Sequence, residues 1–404
     1  MAQDFPASRD DALKRLQEFL PRAGAAYDKS RNYDHGPDER SNVSLLSPYL
    51  RHRLIGEDEV VRAVLSKHRI SAAGKFVEEV CWRTYWKGWL EQRPALWTGY
   101  LSELAQDRAA VASDEDLAAR YAAAMAGESG IGGFDAWSQE LIATGYLHNH
   151  ARMWFASIWI FTLGLPWTLG ADFFYRHLID GDPASNTLSW RWVAGLHTRG
   201  KHYIARAENI RRFTDGRFDP DGQLDEEPSP TDGPEAPLPS RLKPPMSVPP
   251  GEPIVLLVNE DDLTPERWPV ASGQVKGVAL LPPDQSYPGL AQAVVDFRRH
   301  AISDAAMRAE RAFGCPVILL TQPQPGEAIA LCRTVAAEKL VTAQVPVGPA
   351  RETYATVVAG LTGSGIAAME VRRDWDSAFW PYARAGFFKL KERIPETLER
   401  LGLL

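Results

Sequence analysis

The sequence predicts a multidomain α and α/β protein, an all-helical domain followed by a parallel-sheet domain, on three observations. Apolar residues recur at three and four positions from residue 8 to 212, with few β-branched alternations. Proline, glycine and acidic residues then dominate from Asp215 to Glu252. Beyond them, short apolar runs alternate with helical stretches. At 404 residues the chain is long enough for two cores. The expected division is 1–214, a linker at 215–252, and 253–404.

In the first part, "DDALKRLQEFLPRAGAAY" carries the helical period, and "SDEDLAARYAAAMAG" opens as a capping box from Ser113 to Asp116. "TGYLHNHARM", Thr144 to Met153, places two histidines, an asparagine and an arginine on what reads as one helix. The apolar run "WFASIWIFTLGLPW" follows almost at once, so a metal site, a membrane entry and a polar cofactor pocket all compete. A membrane span needs about 20 apolar residues. Gly164 and Pro166 break this run and Arg152 sits at its edge, so a buried core helix is expected. His148 and His150 fall on different helix faces, which argues against a metal pair. They read as one structural histidine and one near a pocket mouth.

The stretch 215–252 reads as an extended, mobile linker of about forty residues, spanning a root-mean-square distance of roughly 35 Å. After it come "PIVLLV" (253–258), "VKGVALL" (275–281), "PVILL" (316–320), "LVTAQV" (340–345) and "IAAMEV" (366–371), all expected as buried strands. "LAQAVVDFRRHAISDAAMRAERAFG" and "GEAIALCRTVAAE" supply helices between them, giving a parallel, Rossmann-like α/β sheet. "GLTGSG" (360–365) has dinucleotide-loop glycine spacing but ends a helix, so it reads as a loop, and no P-loop motif occurs.

Composition narrows the classes. A net charge of −7 gives no support to a protein that coats nucleic acid nonspecifically, though one face can still be basic. Cys81, Cys315 and Cys332 are too scattered for a disulfide framework and too few for a four-cysteine metal or cluster site. "MAQDFPASRDDALKRL" lacks the apolar segment of a secretory signal, so a cytoplasmic location is expected. The 13 tryptophans, gathered mostly before residue 195, ask for a functional account.

Three segments supply one when read together: "KFVEEVCWRTYW" (75–86), "TGYLHNHARMWFAS" (144–157) and "LIDGDPASNTLSWRW" (178–192). With "RSNVSLLSPYL" (40–50) and "GRFDP" (216–220), this order resembles the helical FAD-binding domain of the DNA photolyase and cryptochrome family. The resemblance covers about the first half of the chain. It implies that Tyr27, Ser44, Leu46 and Ser47 line the phosphate and ribityl side of FAD, with hydroxyls and a helix start receiving the diphosphate. Arg83 would hold the same cofactor as a fixed cation. Arg152 and Asp180 match the family's ion pair beside the isoalloxazine, Asp182 its neighbour, and Asn186 the residue facing flavin N5. Phe76 stands on the cofactor side where the family usually has tryptophan, and Val43 where it usually has threonine.

The chemistry so implied is light-driven electron transfer from reduced FAD to a pyrimidine dimer flipped out of DNA. Trp82 and Trp192 match the aromatic walls that stack on the dimer, and Glu79 the acid that hydrogen-bonds it as charge develops. Asn149, assigned to both cofactor and catalysis, and Met153, assigned to substrate, match the cyclobutane-dimer branch. The (6-4) branch typically has histidine at both positions. Trp190 and Trp167 match two members of an electron-transfer relay, with Trp97 a candidate third. "HTRGKHYIARAENIRRF" (197–213) is the stretch assigned to phosphate contacts, an ordinary solvated helix face being the plain alternative.

The family's antenna domain normally comes first. Here "VRRDWDSAFWPYARAGFFKLKERIP" near the end looks like the close of such a domain, so the order is expected to be permuted, the antenna pigment being unknown. The expectation is a monomeric, metal-free, membrane-free deoxyribodipyrimidine photolyase-like lyase acting on dimer-containing DNA. The alternative is a cryptochrome-like blue-light sensor or another non-repair FAD-binding protein.

Overall fold

In the computed structural model, which describes residues 5–283 and 287–404, the first half is built of helices whose apolar faces converge on one core. The first four residues of the amino-terminal stretch lie outside the described part. The helices are α1 (Arg9–Phe19), α2 (Ala25–Ser30), α3 (Ser47–Arg51), α4 (Glu57–Leu65), α5 (Ile70–Glu91) and α6 (Ala95–Ser113). They continue as α7 (Glu115–Ala126), α8 (Gly132–Thr144), α9 (Asn149–Ser157), α10 (Trp167–His177), α11 (Pro183–Val193) and α12 (Ala207–Phe213). Long α5 runs through the middle and buries Phe76, Val77, Cys81, Tyr85 and Leu90.

Two local expectations are corrected. Ser113 is not a cap. It ends α6, and Asp114 caps α7 by accepting from Leu117 N at 3.0 Å. A carboxylate is both a cap and a favourable charge at a helix start, so it takes the role. Nor is "TGYLHNHARM" one helix. Gly145 adopts φ +66, the left-handed conformation that ends α8, and α9 restarts at Asn149. His148 caps that restart, its Nδ1 accepting from His150 N at 3.1 Å. The apolar run beyond it continues α9 into a π-turn at Ile158–Thr162 and breaks at Gly164. No helix among the described residues is long and apolar enough to cross a membrane.

The second half holds β1 (Ile254–Val258), β2 (Val275–Leu280), β3 (Val317–Leu319), β4 (Lys339–Ala343) and β5 (Ala367–Val371). They pair in parallel in the order β3-β2-β1-β4-β5, with β1 wholly buried, as its β-branched run predicts. The crossover helices are α13 (Gln292–Phe313), α14 (Pro325–Thr334) and α15 (Pro349–Gly360). Short α16 (Asp374–Phe379), α17 (Phe387–Lys391) and α18 (Ile394–Arg400) close the chain. "GLTGSG" is a turn after α15, as expected.

In such an open sheet the crevice at the strands' carboxyl ends, where the order reverses between β1 and β4, is the usual ligand position. Here the helical half fills it. Arg51 pairs with Asp261, and Arg53 donates to Asp376 at 2.7 Å and lies 3.4 Å from Asp262. His52 Nδ1 meets Glu260 O at 2.7 Å, and Glu91 accepts from Val347 N at 2.7 Å. Trp375 Nε1 donates to Thr84 at 2.8 Å, and Gln92 to Trp380 O at 3.0 Å. The 215–252 stretch has no helix or regular strand, as its composition predicts, yet it is docked rather than loose. Arg93 donates to Pro237 O (2.9 Å), Ser240 N to Gln92 O (2.8 Å), and Met246 bridges Val371.

Candidate functional site

A cavity of about 540 Å³ opens between α2, the 43–47 loop, α5, α9 and α11. Tyr27, Ser44, Leu46, Ser47, Phe76, Glu79, Trp82 and Arg83 line it from the first elements, and Asn149, Arg152 and Met153 from α9. Asp180, Asp182, Asn186, Trp190 and Trp192 complete it. The structure thus brings together every site residue named from sequence except Trp167 and the candidate Trp97.

Spacing explains the convergence. Phe76, Glu79, Trp82, Arg83 and Trp86 recur at three and four along α5 and so share a face. Asn149, Arg152 and Met153 do the same on α9. Asp182 caps α11 by accepting from Ser185 N at 2.7 Å, with Pro183 at the first helical position, and so aims Asn186 and Trp190 inward. The amide of Asn186 donates to Ala171 O at 2.7 Å, which leaves its oxygen available to the cavity. Trp190 rests directly on Gly170, where a Cβ would lie 2.3 Å from the indole. Only glycine at that place lets the ring reach the cavity wall.

The electrostatics are those of a site built for a charged guest. Arg152 donates to Asp180 at 2.9 Å and to Leu147 O at 3.0 Å. Burial alone would raise the Asp180 carboxyl, but Arg152, Arg83 and Ser47 outweigh it and lower it. Asp182 is likewise pushed up by burial and then held at about 2 by Lys87, Arg51 and Arg83. Both are therefore fixed anions. Glu79 behaves differently: burial dominates and raises it, even though Arg31 Nε lies 3.8 Å away. A carboxyl so raised carries a proton more readily, and a protonated one can donate a hydrogen bond.

One face of Trp82 is stacked on Phe387 of α17, with ring centroids 3.7 Å apart and planes 12° from parallel. Its remaining surface serves the cavity. Trp192 stacks on Tyr203 at 5.7 Å. Trp167 stands apart, donating to Glu103 at 2.8 Å and packing on Tyr100 at 5.6 Å, which in turn packs on Trp97 at 5.4 Å. His148 bonds Arg31 O and His150 bonds Asn32 O, both at 3.0 Å, so the two tie α9 to the α2 end. His150 also lines the cavity, as expected of the second histidine.

Sequence reading missed Arg31, Tyr146 and Arg51. Arg31 lies four residues after Tyr27 and so shares its face, a signal that was available. Tyr146 sits under the Arg152 guanidinium at 5.3 Å. Arg51 Nε donates to Gly181 O at 2.8 Å beneath the cavity floor, and nothing local marks it. Helix α3, expected to offer its start to a diphosphate, is only five residues long, so its dipole is small and the Ser44 and Ser47 hydroxyls matter more.

Comparison with known proteins fits this geometry. The family model described as the FAD-binding domain of DNA photolyase matches residues 76–225. A deoxyribodipyrimidine photo-lyase of Synechococcus sp. is 34% identical over 211 residues, covering 50% of this chain and 42% of that one. One of Streptomyces griseus is 31% identical over 215 residues, with 49% and 45% covered. A solved bacterial class III photolyase from Agrobacterium tumefaciens shares 27% identity over 51% of this chain and 44% of its own, with a TM-score of 0.41. The chain spans less than half the length of these relatives.

The cavity also suits the group by its own chemistry. Its volume is that of a cofactor pocket. Arg83 Nη1, Asp180 Oδ1 and Ser185 Oγ are buried there without a hydrogen-bond partner, three polar valences that a polar cofactor would satisfy. Residues 76–225, which supply α5, α9 and α11 of the cavity, thus match the FAD-binding domain of DNA photolyase.

Proposed function

We propose that the protein repairs cyclobutane pyrimidine dimers in DNA under blue or near-ultraviolet light, as a deoxyribodipyrimidine photolyase. We read it as a helical domain at 1–214 and an antenna-like domain at 253–404, joined by 215–252 in permuted order. Reduced FAD, which Arg83, Arg152, Ser44 and Ser47 would hold, would supply light-driven single-electron transfer to the dimer. The observation that carries the reading is that Glu79, Trp82, Asn149, Met153 and Trp192 share one cavity with the cofactor residues. A cavity used for sensing alone has no need of that set.

The chain's own residues then have distinct tasks. Trp82 and Trp192 offer ring faces that offset the unstacking of the flipped dimer, a cost of a few kcal/mol. Met153 adds an apolar side chain to the same cavity wall. Glu79, its carboxyl raised by burial, stands where it can hydrogen-bond, when protonated, the dimer carbonyl on which negative charge grows. Asn149 adds an amide to the same polar group. Arg83 and Arg152 hold the cofactor's anionic side, kept in position by Asp182 and Asp180. Trp190 and Trp167 carry electrons inward from the surface.

The test is repair itself. Reduced protein is illuminated with dimer-containing single- and double-stranded oligonucleotides, and restored thymines are counted. Wild type should repair, and Glu79→Ala should lose at least tenfold with FAD content unchanged, a group that meets developing charge being worth that much or more. Absence of repair on both substrates, with FAD fully reduced, would overturn the repair reading in favour of a light sensor or another non-repair FAD-binding protein.

A further inference from the structure

The basic stretch just past Trp192 has an acidic neighbour, although its arginines stay largely exposed. Residues 219–235, which carry seven acidic side chains, fold back along it as irregular chain with a turn at 221–224. Arg211 lies 3.5 Å from Asp219, and Arg206 lies 3.8 Å from Glu226. Arg199 sits 3.8 Å from Asp232 and 3.9 Å from Glu235. Hydrogen bonds set the register: Ala207 N donates to Glu226 Oε1 at 2.8 Å, and Thr231 N to Ala194 O at 3.0 Å. His202 Nε2 bonds Pro228 O at 3.0 Å.

Three features distinguish this segment from an ordinary linker. Its acids meet successive arginines of the face that adjoins the cavity wall. Its ion pairs are long and exposed, Arg199 at 72% and Asp232 at 96%, so each is weak and easily exchanged. Its acids are spread along the chain so that they reach Arg211, Arg206 and Arg199 in turn, a row of anions as a nucleic-acid strand offers. We propose that residues 219–235 are a tethered polyanion that occupies the DNA-backbone surface Arg199–Arg211 and is displaced when DNA binds. The proposal rests on the DNA-repair reading for its ligand. A tether of this length holds the acids at an effective concentration on the order of millimolar, so a weakly bound strand must compete for the arginines. Freed carboxylates take up cations as DNA releases them, which makes the wild-type salt dependence shallow.

The experiment replaces the four paired acids with their amides, Asp219→Asn, Glu226→Gln, Asp232→Asn and Glu235→Gln, in the full chain. Amides keep the oxygen that accepts from Ala207 N, so the segment's hydrogen bonding survives while its charge is lost. Binding to an undamaged oligonucleotide should tighten about tenfold or more at low salt. The slope of log affinity against log salt should steepen by about 0.9 for each duplex phosphate newly contacted. The variant should also leave a heparin column at higher salt. In wild type, added oligonucleotide should speed proteolytic cleavage within 219–235. Unchanged affinity, slope and elution would overturn the proposal, as would protection of the segment by DNA. Because heparin and undamaged DNA need no dimer, tighter binding without repair would sink the repair reading alone. Repair with unaltered binding would sink the strap alone.

Discussion

The two halves surround their buried charges differently, one with packed protein and the other with a cavity. At the carboxyl edge of the sheet, Asp262 receives two bonds from Arg373 at 2.5 and 2.6 Å and lies 3.4 Å from Arg53, while Asp261 pairs with Arg51. Cation and anion there neutralise each other across the domain boundary. In the helical cavity, Arg83, Asp180 and Ser185 keep a polar atom with no partner. The sheet half has the strand order of a nucleotide-binding domain, yet its usual ligand crevice is a socket for Arg51, His52 and Arg53. The helical half has no familiar ligand crevice by topology, yet it carries the pocket. His52 Nε2 and Arg53 Nε also lack a hydrogen-bond partner at the sheet edge, so what marks the ligand position is the cavity that the helical half keeps open, more than orphaned atoms or fold class.

The strongest way to break this comparison is to separate the halves. Truncation after Gly222 removes Asp261, Asp262 and Asp376 and leaves Arg51 and Arg53 short of partners, so the fragment should fail to fold cooperatively. In the full chain, Asp262→Ala should lower stability by about 3–5 kcal/mol in urea unfolding, as breaking a buried ion network does. A truncated fragment that melts cooperatively and turns yellow with FAD would show the socket to be dispensable.

Next in size is the cavity. Arg83→Ala should weaken FAD retention at least tenfold on gel filtration while shifting the urea midpoint little, because its Nη1 is unsatisfied without a guest. A large stability loss with FAD still bound would place Arg83 with the structural charges instead.

The smallest effect sharpens the comparison through pH. Burial holds His148, His177 and His197 at about 4, against an ordinary value near 6.5. A depressed folded-state value means that the unfolded chain binds more protons in between. Stability from these groups is therefore present above pH 6.5 and lost as pH falls from 6.5 toward 4. All three lie in the helical half, and each should contribute on the order of 1 kcal/mol. Urea unfolding at pH 7 and pH 5 should show the loss, and His177→Gln should reduce it. An equal loss in that variant would remove His177 from the account.

Much of the architecture was legible because its causes are local. Apolar runs become strands wherever a sheet can form, and all five did, but the edge strands β3 and β5 are only partly buried because each has a neighbour on one side alone. Residues three and four apart share a helix face, so Glu79, Trp82 and Arg83 had to meet the same space. The capping error at Ser113 and the unseen break at Gly145 were also local, but there two neighbouring signals competed and geometry chose between them. Trp167 was readable as a motif position, yet its packing on Tyr100 and Trp97 was not.

By itself, the chain determined which segments are helix or strand, which face of each is apolar, and which side chains form a recognisable chemical set. Only the tertiary structure decided that Arg51–Arg53 would plug the sheet's crevice, that Phe387 would cover Trp82, and that the acidic stretch would lie on the basic one. These are pairings between groups well separated in sequence, about 210 residues in the case of Arg51 and Asp261. Periodicity and turn chemistry act over a few residues, whereas a buried charge needs only an opposite charge nearby in space. Which one it meets depends on how the two cores dock, and no local pattern records that.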